Sequence, residues 1–123
     1  MLSAETRALL RRLREHALTL PEAWEDHPWG ENVTKVRKKV FVFHGADEGD
    51  YRPNLTVKLT DSHDAALAFP EAAPTGYGLG RSGWVTLPVD AADLPPAEVL
   101  CDWIEESYRL VAPKTLAARL DAP

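Results

Sequence analysis

Several short runs in this sequence hold the residue types that chemistry requires. Gly78-Leu79-Gly80-Arg81-Ser82-Gly83 spells G-x-G-x-x-G, the pattern whose glycines open a helix with its N-terminal amides on a pyrophosphate. That chemistry needs a strand before the glycines and a helix after them. Here Trp84-Val85-Thr86-Leu87 follows, which is strand composition, so the glycines are expected to form a hairpin turn or bulge with Arg81 at its exposed tip. Ser62-His63-Asp64 holds the three residue types of a hydrolase triad. Adjacent residues cannot aim their side chains along one proton relay, and a helix start accounts for them better. Cys101 falls on the apolar stripe of an expected helix, where a free cysteine behaves as a small buried hydrophobe. His16, His27, His44 and His63 are scattered, with no HxH, HxxxH or CxxC pair to preset a zinc site. His44 with Asp47, Glu48 and Asp50 lacks the glycine and terminal glutamate of a calcium loop. No catalytic residue, metal or cofactor is expected.

The constellation that stands above this background is basic. Arg37, Lys38 and Lys39 are consecutive, Lys35 precedes them, and Arg52, Lys58 and Arg81 are candidate neighbours. Phosphate contacts ask for cations on exposed, positioned backbone, which a hairpin wing offers without any base-reading side chain. The same residues also serve as ordinary solubilising and edge-protecting charge. A second candidate surface, for a ligand or a partner, is aromatic: Trp29 beside Pro28 and Gly30, Tyr77, and Trp84 beside Gly83, with Lys58 as an anion anchor. Its competing role is core filling, since aromatics next to glycine occupy the space a missing side chain leaves.

The elements that must position these residues follow from periodicity and punctuation. Leu9, Leu10, Leu13, Ala17 and Leu20 recur at helical spacing after Ser3, an N-cap residue, which predicts a helix from about Ala4 to about Leu18. The acidic stretch from Glu22 through Asp26 to Gly30 reads as loop. Val33 to Phe43 is β-branched and aromatic around its basic centre, which predicts two short antiparallel strands. His44 to Pro53 reads as an exposed, mobile connection. Asn54 to Thr60 alternates as a third, half-buried strand, and a short helix from Asp61 or Ser62 stops at Pro70. Thr75 to Val89 reads as a second hairpin with return strand Trp84–Leu87. After Pro95 and Pro96, Leu100, Cys101, Ile104, Tyr108 and Val111 form the buried stripe of a helix whose wet face holds Glu98, Asp102, Glu105, Glu106 and Arg109. Lys114–Leu120 is a short terminal helix. The fold class is therefore α+β: a two-layer sandwich, one antiparallel sheet of about five strands covered by helices, in the order α-β-β-β-α-β-β-α-α.

Composition bounds the rest. A chain of 123 residues, 45% apolar and 27% charged, fits one globular domain spanning 1–123. A net charge of −5 excludes a protein coated in cations for wrapping nucleic acid. The charge is uneven: segment 33–43 carries four cations and no acid, while segment 90–112 carries six acids against Arg109. The apolar runs are far short of the roughly 20 residues that cross a bilayer, and Met1-Leu2-Ser3 opens into charged residues without a signal-peptide core. A cytoplasmic location is expected, with no membrane partner.

Three stretches together resemble the YjbR/MmcQ family of small bacterial proteins: LPEAWEDHPWG from Leu20 to Gly30, the strand-borne Lys58 in LTVKLTD, and GYGLGRSGWVTL from Gly76 to Leu87. The family's recurring residues fall on Pro28, Trp29, Gly30, Lys58, Gly76, Tyr77, Trp84 and Leu87. The sequence departs from the family after Phe43, where the stretch to Pro53 is longer and more acidic. The resemblance implies a two-layer α/β domain with a CyaY-like or secretion-chaperone-like antiparallel sheet, and a DNA-binding label with a double-wing description of its loops. Three readings stand together: a non-enzymatic domain binding DNA weakly and without sequence preference through Lys35, Arg37, Lys38, Lys39, Lys58 and Arg81; a protein-interaction, chaperone-like or self-associating module; and a small-ligand binder near Trp29 and Trp84.

Overall fold

The computed structural model describes residues 2–46 and 52–121, without the side chains of Trp29 and Ala46. The first helix, α1 (Ala4–Leu18), has the predicted bounds, because the Ser3 hydroxyl accepts from the Thr6 amide and so caps one of the four orphan donors. Next come β1 (Ala23–Asp26), a 3-10 turn (Pro28–Gly30), β2 (Glu31–Val36), β3 (Lys39–Ala46) and β4 (Asn54–Lys58). These are followed by α2 (His63–Leu67), β5 (Ala73–Pro74), a second 3-10 turn (Leu79–Ser82) and β6 (Trp84–Pro88). The chain closes with α3 (Ala97–Val111), α4 (Lys114–Ala118) and a last 3-10 turn (Arg119–Asp121).

The strands form one antiparallel sheet of six in the order β1-β2-β3-β4-β6-β5, one more than the five or so expected. The extra strand is β1, placed where Glu22–Asp26 reads as loop. Of its four residues Trp24 alone favours a strand, while Ala23, Glu25 and Asp26 are depleted there. Cross-element partners hold it there. Asp26 Oδ2 accepts from Lys35 Nζ of β2 at 2.7 Å, Glu25 Oε1 accepts from Arg14 Nε of α1 at 2.9 Å, and the Trp24 indole donates to the Arg37 carbonyl at 2.9 Å.

The second hairpin is also shorter than predicted. Its outgoing strand is only Ala73–Pro74, paired with Thr86 and Val85, and the glycine-rich stretch after it is turn and 3-10 helix. Gly83 ends that turn at φ 96°, where a Cβ would stand 2.6 Å from the Leu59 carbonyl oxygen. Gly83→Ala is expected to cost about 2 kcal/mol, strain plus a backbone clash. A thermal melt of the variant that overlays the parent would show that the Leu59 approach is not needed. At the other end of the sheet, β3 runs on through Ala46, so His44 lies 4% exposed inside a strand and not in an open loop. Of the rest of that expected loop, residues 47–51 lie outside the described residues.

Helices α1 and α3 cover one face of the sheet, and the core lies between: Leu13 and Ala17 from α1, Phe41, Val42, Leu55, Val57, Val85 and Leu87 from the strands, Leu100, Ile104 and Tyr108 from α3. The α3 stripe is wider than predicted, with Trp103 and Ser107 buried and Val111 partly exposed. Glu106, expected on the wet face, is half-buried and accepts from the Thr60 amide at 2.8 Å and the Ser62 hydroxyl at 2.7 Å, which fastens the turn before α2. The pleat puts the alternate residues on the helix-free face: Trp24 and Lys35 opposite each other, then Phe43, Thr56, Lys58 and Trp84. A hydroxyl ladder, Thr56 to Thr86 at 2.9 Å and Thr86 to Thr75 at 3.0 Å, crosses that face.

Candidate nucleic-acid interface

Several of the cations in this chain are already closely matched to acids. Arg12 pairs with Glu98, Arg14 with Glu25, Lys35 with Asp26, Arg52 with both Glu71 and Asp90, and Arg109 with Asp121. The forked contacts of Arg52 hold its guanidinium charged even more firmly than usual and consume it structurally. Lys35 also lies over the Trp24 ring, 5.3 Å from its centroid, and its bond to Asp26 holds that carboxyl below the usual carboxylate range. Lys35 is therefore a neutralised cation on the helix-free face, separated from the turn it precedes.

The turn itself is different. Val36 pairs with Lys39, so Arg37 and Lys38 alone make the connection between β2 and β3. Arg37 adopts φ 57°, uncommon for a non-glycine residue, and the Trp24 indole on its carbonyl anchors the backbone. Arg37 reaches Glu22 at 3.5 Å with both side chains about half exposed, a contact of small worth in water. Among the described residues Lys38 and Lys39 have no acidic partner.

Opposite this turn, the chain leaves α3 through Ala112 and Pro113 and enters α4 at Lys114. Arg37, Lys38, Lys39 and Lys114 thereby meet around one cleft of about 580 Å³, floored by Val36, Leu110, Val111, Ala112 and Pro113, with no acid in its lining. Cations at this place also complement the C-terminal end of the α3 dipole. Arg119 and Arg37 lie near enough to act electrostatically on the Tyr108 hydroxyl, and Glu22 acts on it in the opposite direction. Lys114 is the residue sequence reading misses. Its only sequence signal is a lone lysine after Pro113, and nothing in a local pattern ties it to a hairpin some seventy-five residues earlier.

The other sequence candidates do not join this cleft. Lys58 projects from the helix-free face beside Trp84, its cross-strand partner, while the cleft opens on the helix side. Arg81 lines a separate cavity of about 420 Å³ with Thr60, His63, Asp64 and Ser82. Of the aromatic set, Tyr77 and Trp84 are not gathered: Tyr77 is fully exposed, and Trp84 is 8% exposed and packs edge-on against Phe43 at 5.5 Å; the Trp29 side chain lies outside what the structure describes. Cys101 is buried as expected, and burial pushes its thiol up, away from the thiolate a nucleophile needs. No group of three or more His, Cys, Asp or Glu among the described residues could hold a metal ion. No helix among them is long and apolar enough to cross a membrane.

One open antiparallel sheet with its helices on a single face and a cationic cleft at one end defines a small α+β protein. Residues 18–110 match the YjbR family model, and the chain belongs to that family. Among solved structures it is similar to the Deinococcus radiodurans protein DR2400, described as carrying a DUF419 domain. The two are 26% identical, with a TM-score of 0.69 over 93% of this chain and 88% of that one. No curated protein matches the chain.

Proposed function

We propose that this YjbR-family protein is a non-enzymatic domain that binds nucleic acid weakly and without sequence preference through the cleft of Arg37, Lys38, Lys39 and Lys114. The observation that carries this reading is the convergence, in a chain of net charge −5, of four cations around one concavity with no acid in its lining, Glu22 meeting only Arg37 and from outside it. The double-wing description implied by the resemblance points to the same β2–β3 hairpin. Arg81 on its own turn is at most a second phosphate contact, and Lys35 and Lys58 contribute little. Affinity is set by phosphate neutralisation and falls with salt, with a slope bounded by the four cations of the cleft.

Anisotropy of a labelled short oligonucleotide, titrated at low and moderate salt, tests the reading. The parent should bind at low salt and lose affinity as salt rises. A variant with Arg37, Lys38 and Lys39 all changed to Glu should lose binding by at least about tenfold. These side chains are exposed, so the variant should melt close to the parent. Absence of binding by the parent at low salt sinks the proposal.

A further inference from the structure

Resting on that reading, we infer that the cleft takes an unpaired strand in preference to a duplex. Phosphate alone gains nothing from an apolar surface, yet the floor beneath these cations is Val36, Leu110, Val111, Ala112 and Pro113, with Leu110 38% exposed. A duplex is a rod too wide to enter a cleft of this size, and its base faces are stacked inside, so its phosphates meet the cations of the rim and nothing of it reaches the floor. Here the cations rim a concavity of about 580 Å³, within the size range of clefts that enclose small ligands. An unpaired nucleotide carries sugar and base faces on the same flexible chain as its phosphates. It therefore lays those faces on the floor while Arg37, Lys38, Lys39 and Lys114 hold the phosphates on either side. No aromatic residue lines the cleft, so the floor contributes apolar contact and not base stacking, which leaves recognition tolerant of sequence. A chain end or a bulge offers the same unpaired nucleotide.

The experiment compares one labelled single strand with its own blunt duplex across a salt series. The parent should hold the single strand about tenfold tighter at equal salt, the gain expected from modest apolar burial. Leu110→Ser, at an exposed position, should remove most of that preference and leave the salt slope unchanged. Lys114→Ala should reduce the slope by about one and weaken both forms alike. Equal affinity for the two forms, or equal displacement of the strand by polyglutamate at matched charge, overturns the inference and leaves the cationic reading standing in the first case. Failure of both forms to bind at low salt overturns the two together. Preference for the single strand that survives Leu110→Ser overturns the role of the floor.

Discussion

Ser107→Ala is expected to lower the unfolding free energy by about 3 kcal/mol, although it removes a single oxygen. The Ser107 hydroxyl is fully buried, donates to the Phe41 carbonyl at 2.6 Å and accepts from the Lys58 amide at 2.9 Å. Continuing the register Val42 to Val57 by one residue would bring Phe41 opposite Lys58. Phe41 is instead the extra residue of a bulge against β2, which turns the strand so that Phe41 and Val42 both enter the core. Ser107, reaching down from α3, stands in for the interrupted ladder by bridging the two strands. Alanine leaves one buried donor and one buried acceptor without partners, each worth about 1–3 kcal/mol. Denaturant unfolding measures the loss, and amide exchange at Lys58 should accelerate beyond the global change. Ser107→Cys, with a weaker donor of similar shape, should fall between. A midpoint unchanged in the alanine variant would mean that Phe41 and Lys58 meet directly once the hydroxyl is gone.

Stability is expected to fall by about 3 kcal/mol as pH drops from 6.5 toward 4, on account of His44. Its ring is 4% exposed and shares a hydrogen bond of 2.8 Å with the Thr34 hydroxyl. Burial, and secondarily the nearby Arg14 charge, push its pKa down to about 4, with Glu25 opposing weakly. The unfolded chain binds a proton near pH 6.5 that the folded chain refuses until about pH 4, so the unfolded state holds more protons throughout that window. Folding stability therefore rises with pH across it, is complete above about 6.5, and is at its lowest below 4. Exposed paired carboxylates such as Asp26 and Asp121, held below their usual range by Lys35 and Arg109, add their own losses only at lower pH. His44→Gln keeps a polar partner for Thr34 and carries no charge, so the difference between variant and parent should shrink steadily from neutral pH to pH 4. A constant difference across that range would show that His44 does not titrate with unfolding.

The helices were the most legible part of this chain. The bounds of α1 follow from Ser3, the apolar spacing of Leu9 to Ala17 and the stop at Pro21, all local signals. The third strand was legible for a similar reason, since Leu55, Val57 and Leu59 alternate with polar residues. β1 was not, because Trp24, Glu25 and Asp26 have no strand pattern of their own and acquire one from Lys35, Arg14 and the Arg37 carbonyl. His44 looked like the start of a loop because the bulges in β3, at Phe41 and at His44, break the alternation that would have marked it as buried.

The candidate site divides the same way. The family, the α+β class and the basic turn are legible from residue order alone, since a run of cations between two β-branched segments is a local feature that no packing is needed to see. Which cations act together is set by folding. Lys35 and Arg52 sit next to acids from distant segments and are neutralised, Lys58 faces the uncovered side of the sheet, and Lys114 arrives beside the turn because Pro113 directs the chain from α3 across the end of β2 and β3. Charge on a side chain is written in the sequence, but its field depends on the distance to other charges and on the dielectric between them, and folding sets both.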